Sequence, residues 1–174
     1  MIKFSRVALG AALLAVSSFA AATVVSVDAK ANSIAGGSAA ATGVTLTTGE
    51  SFSAIVEAGD GENTTWKNDP AANYVSTANG DASFGTYTIP GTASTFTIGT
   101  LVGEIGSGDY FKVGTGFTGP ANATGELKLF YWDSDAGNNS GALNVAISAV
   151  PESTNVALMA LAFGAFALTR RRKA

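Results

Sequence analysis

The stretch ELKLFYW (126–132) alternates two sets of side chains, Leu127, Leu129 and Tyr131 against Lys128, Phe130 and Trp132. A second set, Leu143, Val145, Ile147 and Ala149, repeats every two residues in ALNVAISAV (142–150). Successive strand side chains point to opposite faces, so this period predicts strands with one face on a core. Shorter runs of the same kind are TVVSVDA (23–29), GVTLT (43–47), SFSAIVEA (51–58), FGTYTI (84–89), STFTIG (94–99), TLVGEI (100–105) and YFKVG (110–114). Gly- and Asn-bearing stretches such as DGEN (60–63) and ANGDAS (78–83) read as turns or loops between them. No long segment between the two chain ends has helical periodicity, and no internal repeat is visible. The prediction is an all-β domain, an antiparallel β-sandwich.

The two ends break this pattern. Residues 1–22, MIKFSRVALGAALLAVSSFAAA, place Lys3 and Arg6 before an apolar run, with Ala20-Ala21-Ala22 as a small-residue cleavage site. That order predicts an export signal peptide, with the mature chain starting near Thr23. Residues 150–174 run from Val150-Pro151-Glu152-Ser153-Thr154, through apolar residues from Val156 to Leu168, to Arg170-Arg171-Arg172-Lys173. Thirteen apolar or small residues are few for a membrane helix, and the basic cluster marks a cytoplasmic flank. This end resembles the PEP-CTERM sorting signal of Gram-negative bacteria. The resemblance implies transient inner-membrane anchoring, removal of the tail by an exosortase, and a final place at the cell surface or in an extracellular or biofilm matrix. The expected organisation is a signal peptide (1–22), a β-sandwich domain (23–149) and a sorting signal (150–174).

Separating the ends changes the charge picture. The whole chain has a formal charge of −3, but residues 23–150 hold four lysines and twelve acids, a charge of −8. Such a body argues against nucleic acid and anionic membranes as partners and suits cations and neutral ligands. Cysteine and histidine are both absent. Disulfides, the usual zinc sites and serine–histidine triads are therefore excluded.

The concentration of polar groups in WDSDAGNNSG (132–141) is the main chemical signal. Asp133 and Asp135 supply carboxylates, Asn138 and Asn139 supply amide carbonyls, and Gly137 and Gly141 allow sharp turns. Calcium takes six to eight oxygens of these kinds. The EF-hand spacing is absent, since no glutamate closes the loop. On chemistry alone a calcium site competes with an Asx-rich turn whose side chains accept backbone N–H bonds.

Residues 99–148, with LVGEIG, LKLFYWD and the NNSG tetrapeptide before a final alternating strand, resemble the C-terminal half of the small bacterial calcium-dependent galactose-binding lectins of the PA-I type. A fainter likeness extends back through TTGESFSAIVEAG. The resemblance implies a jelly-roll-like sandwich. It implies Ca2+ held by Asp133, Asn138 and Asn139, with Asp133 and Asn138 also hydrogen-bonding a hydroxyl of a neutral saccharide or exopolysaccharide. The loop between Asp133 and Asn138 is two residues shorter than in the family, which takes a backbone carbonyl there, and Asp135 is the candidate replacement. A second carbonyl is implied near Asn63–Trp66. The family's sugar-contacting histidine precedes a mid-chain aspartate, and if Asp81 is that aspartate, Gly80 stands in its place. Family lectins often assemble, so a homo-oligomer is a further expectation.

Trp66, in the polar stretch ENTTWKNDP, is a candidate platform for the apolar face of a sugar. Trp132 is read as facing the other layer or covering the ion site. An enzyme is not expected, because the plentiful acids come without a recognised nucleophile motif. The leading reading is an exported calcium-dependent carbohydrate-binding protein, the alternative a structural matrix protein without a specific sugar.

Overall fold

The computed structural model describes residues 22–57, 66–69 and 74–149. The segments carrying the export and sorting expectations, 1–21 and 150–174, lie outside the described residues. Among the described residues no helix is long and apolar enough to cross a membrane.

Among the described residues twelve strands follow in chain order: β1 (Thr23–Asp28), β2 (Ala40–Leu46), β3 (Ser51–Val56), β4 (Trp66–Asp69), β5 (Tyr74–Ser76), β6 (Thr86–Thr88), β7 (Thr95–Thr97), β8 (Leu101–Ile105), β9 (Phe111–Lys112), β10 (Gly116–Pro120), β11 (Gly125–Tyr131) and β12 (Ala142–Ala149). Two single 3₁₀ turns, Ala82–Phe84 and Ala136–Asn138, are the helical content of the described residues. One sheet has the order β1-β12-β3-β10 and the other β2-β11-β8-β9, with every strand pair antiparallel. Two hairpins, β4–β5 and β6–β7, stand apart from these sheets. The antiparallel β-sandwich predicted from the alternation is the observed architecture.

The core follows the period-two pattern. Val27, Phe52, Ala54, Leu143, Val145 and Ile147 of the first sheet meet Leu46, Leu101, Ile105, Leu127, Leu129 and Tyr131 of the second, all buried. Fully burying one such aliphatic side chain is worth about 1.5–3 kcal/mol, which lets a chain without disulfides hold together. In contrast to a sandwich open to water on its outer faces, the second sheet buries both. Val102, Phe130 and Trp132 point outward into a smaller apolar cluster, covered by Tyr87 and Ile89 with Phe96 and Tyr110. The β6–β7 hairpin thus acts as a third layer behind β11.

β11 is central to its sheet, and its pairing with β2 is interrupted between Glu126 and Lys128. There, the Thr42 hydroxyl donates to the Leu127 carbonyl (2.6 Å), and the Glu126 carboxylate accepts from the Gly43 N–H (2.9 Å). Side chains thereby satisfy ladder groups that the bulge leaves unpaired. Pairing is regular from Leu127↔Ile105 to Tyr131↔Leu101, so β11 delivers its C-terminal residues in a fixed direction.

Candidate functional site

Past Tyr131 the chain keeps bonding to its neighbours for one more residue. The Trp132 N–H donates to the Thr100 carbonyl and its carbonyl accepts from Gly99 N–H, both at 2.9 Å. The indole N–H donates to the Tyr87 carbonyl (2.8 Å), and Phe96 and Tyr110 pack edge-on at 4.9 and 5.6 Å. Trp132 is therefore a buried anchor in the third layer and offers no face to a sugar. With Trp132 fixed on one side, Asp133 is turned toward the other and is buried.

Asp133 accepts a 2.6 Å bond from the Ser134 N–H. Burial nonetheless raises its pKa above the ordinary 3.8. Bonds from Ser134 N–H, the Asn139 amide and Asp135 N–H oppose this rise, and the neighbouring Asp135 charge adds to it. Burial thus disfavours its charged form more than the local donors favour it.

The loop then turns through Ala136–Asn138. Asp135 caps that turn, its carboxylate accepting from Gly137 N–H at 2.7 Å. This is the Asx turn that the composition allowed, and one of Asp135's oxygens is engaged in it. Asp135 and Asn138 are exposed at the surface. Asn139 is buried, and its Nδ2 donates to the Ala29 carbonyl (3.3 Å). That bond fixes the amide's orientation, because only the nitrogen donates. Its Oδ1 is then left buried with no hydrogen-bond partner. An unsatisfied buried acceptor costs about 1–3 kcal/mol.

The structure thus brings Asp133 and Asn139 together as buried polar side chains, with Asp135 and Asn138 on the exposed turn between them. These residues fit a hard cation. They offer carboxylate and amide oxygens, one of them orphaned, and no soft donor. Among the described residues no cluster of three or more acidic, histidine or cysteine side chains exists, so any cation here depends on the asparagines. Trp66 opens β4, whose backbone passes beside the Ala136–Asn138 turn. The polar WKND is a short strand paired with β5, because main-chain bonds form there without an apolar pattern. Asn63 lies outside the described residues.

Gly80 answers the missing-histidine question sterically. Its φ is +78°, and a Cβ there would meet Thr100 Oγ1 at 2.6 Å and the Ile98 carbonyl at 2.9 Å. No side chain fits at this position. The following Asp81 caps the Ala82–Phe84 turn, and bonds from the Ser83 N–H and hydroxyl lower its pKa.

One contributor escaped sequence reasoning. The segment after β1 forms a clasp: Asp28 accepts from the Lys30 and Ala31 N–H groups (2.9 and 2.7 Å), and Asn32 accepts from Asp28 N–H (2.7 Å). The clasp then bonds the end of β11, Tyr131 N–H to Asn32 carbonyl and Ile34 N–H to Tyr131 carbonyl, both 2.9 Å. It also supplies the Ala29 carbonyl that orients Asn139. The one sequence signal was Asp28 and Asn32 flanking Lys30-Ala31, a local Asx pattern.

No family model matches the chain, and no curated protein matches it. Among solved structures it is similar to one described as "EclA N-terminal domain; PllA-like lectin", with a TM-score of 0.50, 22% identity, and coverage of 72% of this chain and 94% of that one. The domain has a lectin-like fold. At that identity the likeness concerns backbone architecture, and the lectin-like sandwich carries its polar loop between β11 and β12.

Proposed function

We propose that this protein is an exported, calcium-dependent carbohydrate-binding protein. The observation that carries this reading is the buried pair at the end of β11 and start of β12. Burial disfavours the charged form of Asp133, and Asn139, whose amide N–H bonds that carboxylate, keeps an orphan carbonyl oxygen. A divalent cation relieves both at once. In this reading Asp133, Asn138 and Asn139 hold calcium, with Asp135 as a fourth ligand through its second oxygen. The ion, when bound, supplies a positive centre that takes two sugar hydroxyls in place of water. Asp133 and Asn138 orient those hydroxyls by hydrogen bonds. Trp66, on β4, is the residue proposed to stack on the sugar.

The absence of histidine and the closed position at Gly80 favour a neutral saccharide other than one chosen by a histidine contact. The expected setting is the cell surface or extracellular matrix after exosortase processing of the tail, and the likeness to assembling lectins makes a homo-oligomer part of the proposal. A glycan array of the purified protein with calcium and with EDTA tests the reading. Saccharide binding lost in EDTA supports it. No binding in either condition makes the protein a matrix component without sugar recognition.

A further inference from the structure

The geometry points to a second ligand site, at the other end of the sandwich, for a small monocyclic aromatic group. β10 is an edge strand of the first sheet and β9 an edge strand of the second. Between them a cavity of about 170 Å³ opens to solvent, lined by Phe52, Ile105, Phe111, Phe117, Pro120 and Asn122. It is remote from the polar loop along β11: Ile105 pairs with Leu127 at the start of that strand, while Asp133 follows its end.

Three phenyl rings build the walls. Phe52 and Phe117 are 5.1 Å apart, Phe111 and Phe117 5.0 Å, and Phe52 and Phe111 6.1 Å with near-perpendicular planes. Phe111 leans over Gly103, where a Cβ would meet its ring at 2.5 Å, so the glycine makes room for this wall. Protein interiors are close-packed, and an opening of this size is uncommon. Water is a poor occupant. A buried water needs two to four polar partners, and Asn122 is the single polar lining residue, its Nδ2 already bonded to the Asp109 carbonyl at 2.9 Å. An apolar cavity of about 150 Å³ with comparable walls accommodates benzene. Rings at these spacings leave edges and faces on which a fourth ring makes edge-to-face contact.

Toluene titrated into the purified full chain, followed by thermal melting and calorimetry, tests this. Saturable one-to-one binding is expected. It should raise the melting temperature by about 4–7 °C at ten times the dissociation constant. The response should be the same in calcium and in EDTA. Asn122→Phe places a ring in the mouth of the cavity and should weaken toluene binding at least tenfold. As a second variant, Ile105→Phe adds volume at the floor from within and should weaken it several-fold. No saturable binding up to the solubility limit overturns the proposal. So does equal affinity in wild type and both variants, which would put toluene elsewhere. Because the probe is not a saccharide and calcium is varied independently, failure here leaves the reading of the polar loop untouched.

Discussion

Replacing Asp133 with Asn removes a charge and keeps the shape, and the structure predicts opposite effects with and without calcium. In the metal-free protein the carboxylate sits above its ordinary value because burial outweighs the bonds from Ser134, Asn139 and Asp135. A raised carboxylate binds its proton more tightly folded than unfolded. Its penalty therefore vanishes below 3.8, appears as pH rises through 3.8, and is complete only above the raised folded value. In EDTA at pH 7, Asp133→Asn should melt at or above wild type, and the difference should shrink in acid. Calcium reverses the order. A ligand at a hundred times its dissociation constant adds about 2.7 kcal/mol. At roughly 3–5 °C per kcal/mol for a domain of this size, wild type should gain roughly 10 °C. The variant loses its one buried charged ligand; a hundredfold weaker affinity leaves a gain of about 0.4 kcal/mol, or 1–2 °C. Differential scanning calorimetry of both proteins, in EDTA and in calcium, reads all four values. An equal calcium gain in the two proteins refutes the site. A variant that melts well below wild type in EDTA refutes the claim that the charge is held at a cost.

Asn139→Ala should abolish calcium binding in titration calorimetry while removing the orphan carbonyl, so its metal-free stability should fall by no more than about 1 kcal/mol; Asn138→Ala, an exposed change, should weaken calcium and saccharide together with no effect on the EDTA melt. Gly80→Ala should destabilise by more than about 1 kcal/mol in urea unfolding, since both its positive φ and the approach of Thr100 Oγ1 oppose a Cβ. Trp132→Phe breaks the indole bond to the Tyr87 carbonyl and should cost about 1–3 kcal/mol while leaving β12 paired, measured by chemical denaturation and circular dichroism. Trp66→Ala should weaken saccharide binding in calorimetry and leave calcium affinity unchanged.

Strands with one face on the core were legible because period-two patterning records that burial directly; β1, β3, β8, β11 and β12 fall within a residue or two of the predicted runs. β10, GFTGP, was not legible. It is an edge strand held by backbone pairing to β3, where glycine and a terminal proline are tolerated, so its composition reads as turn. Trp132 was ambiguous for a different reason. Both faces of β11 are covered, and alternation cannot distinguish a solvent face from a second core built by a distant hairpin. In the polar loop, Asp133, Asp135, Asn138 and Asn139 were visible as residue types. Their separation into two buried and two exposed groups was not, because it depends on Ala29, 110 positions away in sequence.

The direction of β12 has a mechanical consequence. Its first residue, Ala142, lies across from Asp28 beside the polar loop, and its last, Ala149, lies across from Phe52 near the opposite end of the sandwich. Any pull applied to the chain beyond Ala149 reaches the domain at the pole remote from Asp133. It loads β12 lengthwise, between its partners β1 and β3, in shear along two ladders of main-chain bonds instead of peeling them one at a time. A domain held by that handle keeps the loop free to face outward, and bears a load without disturbing the residues that would grip a ligand.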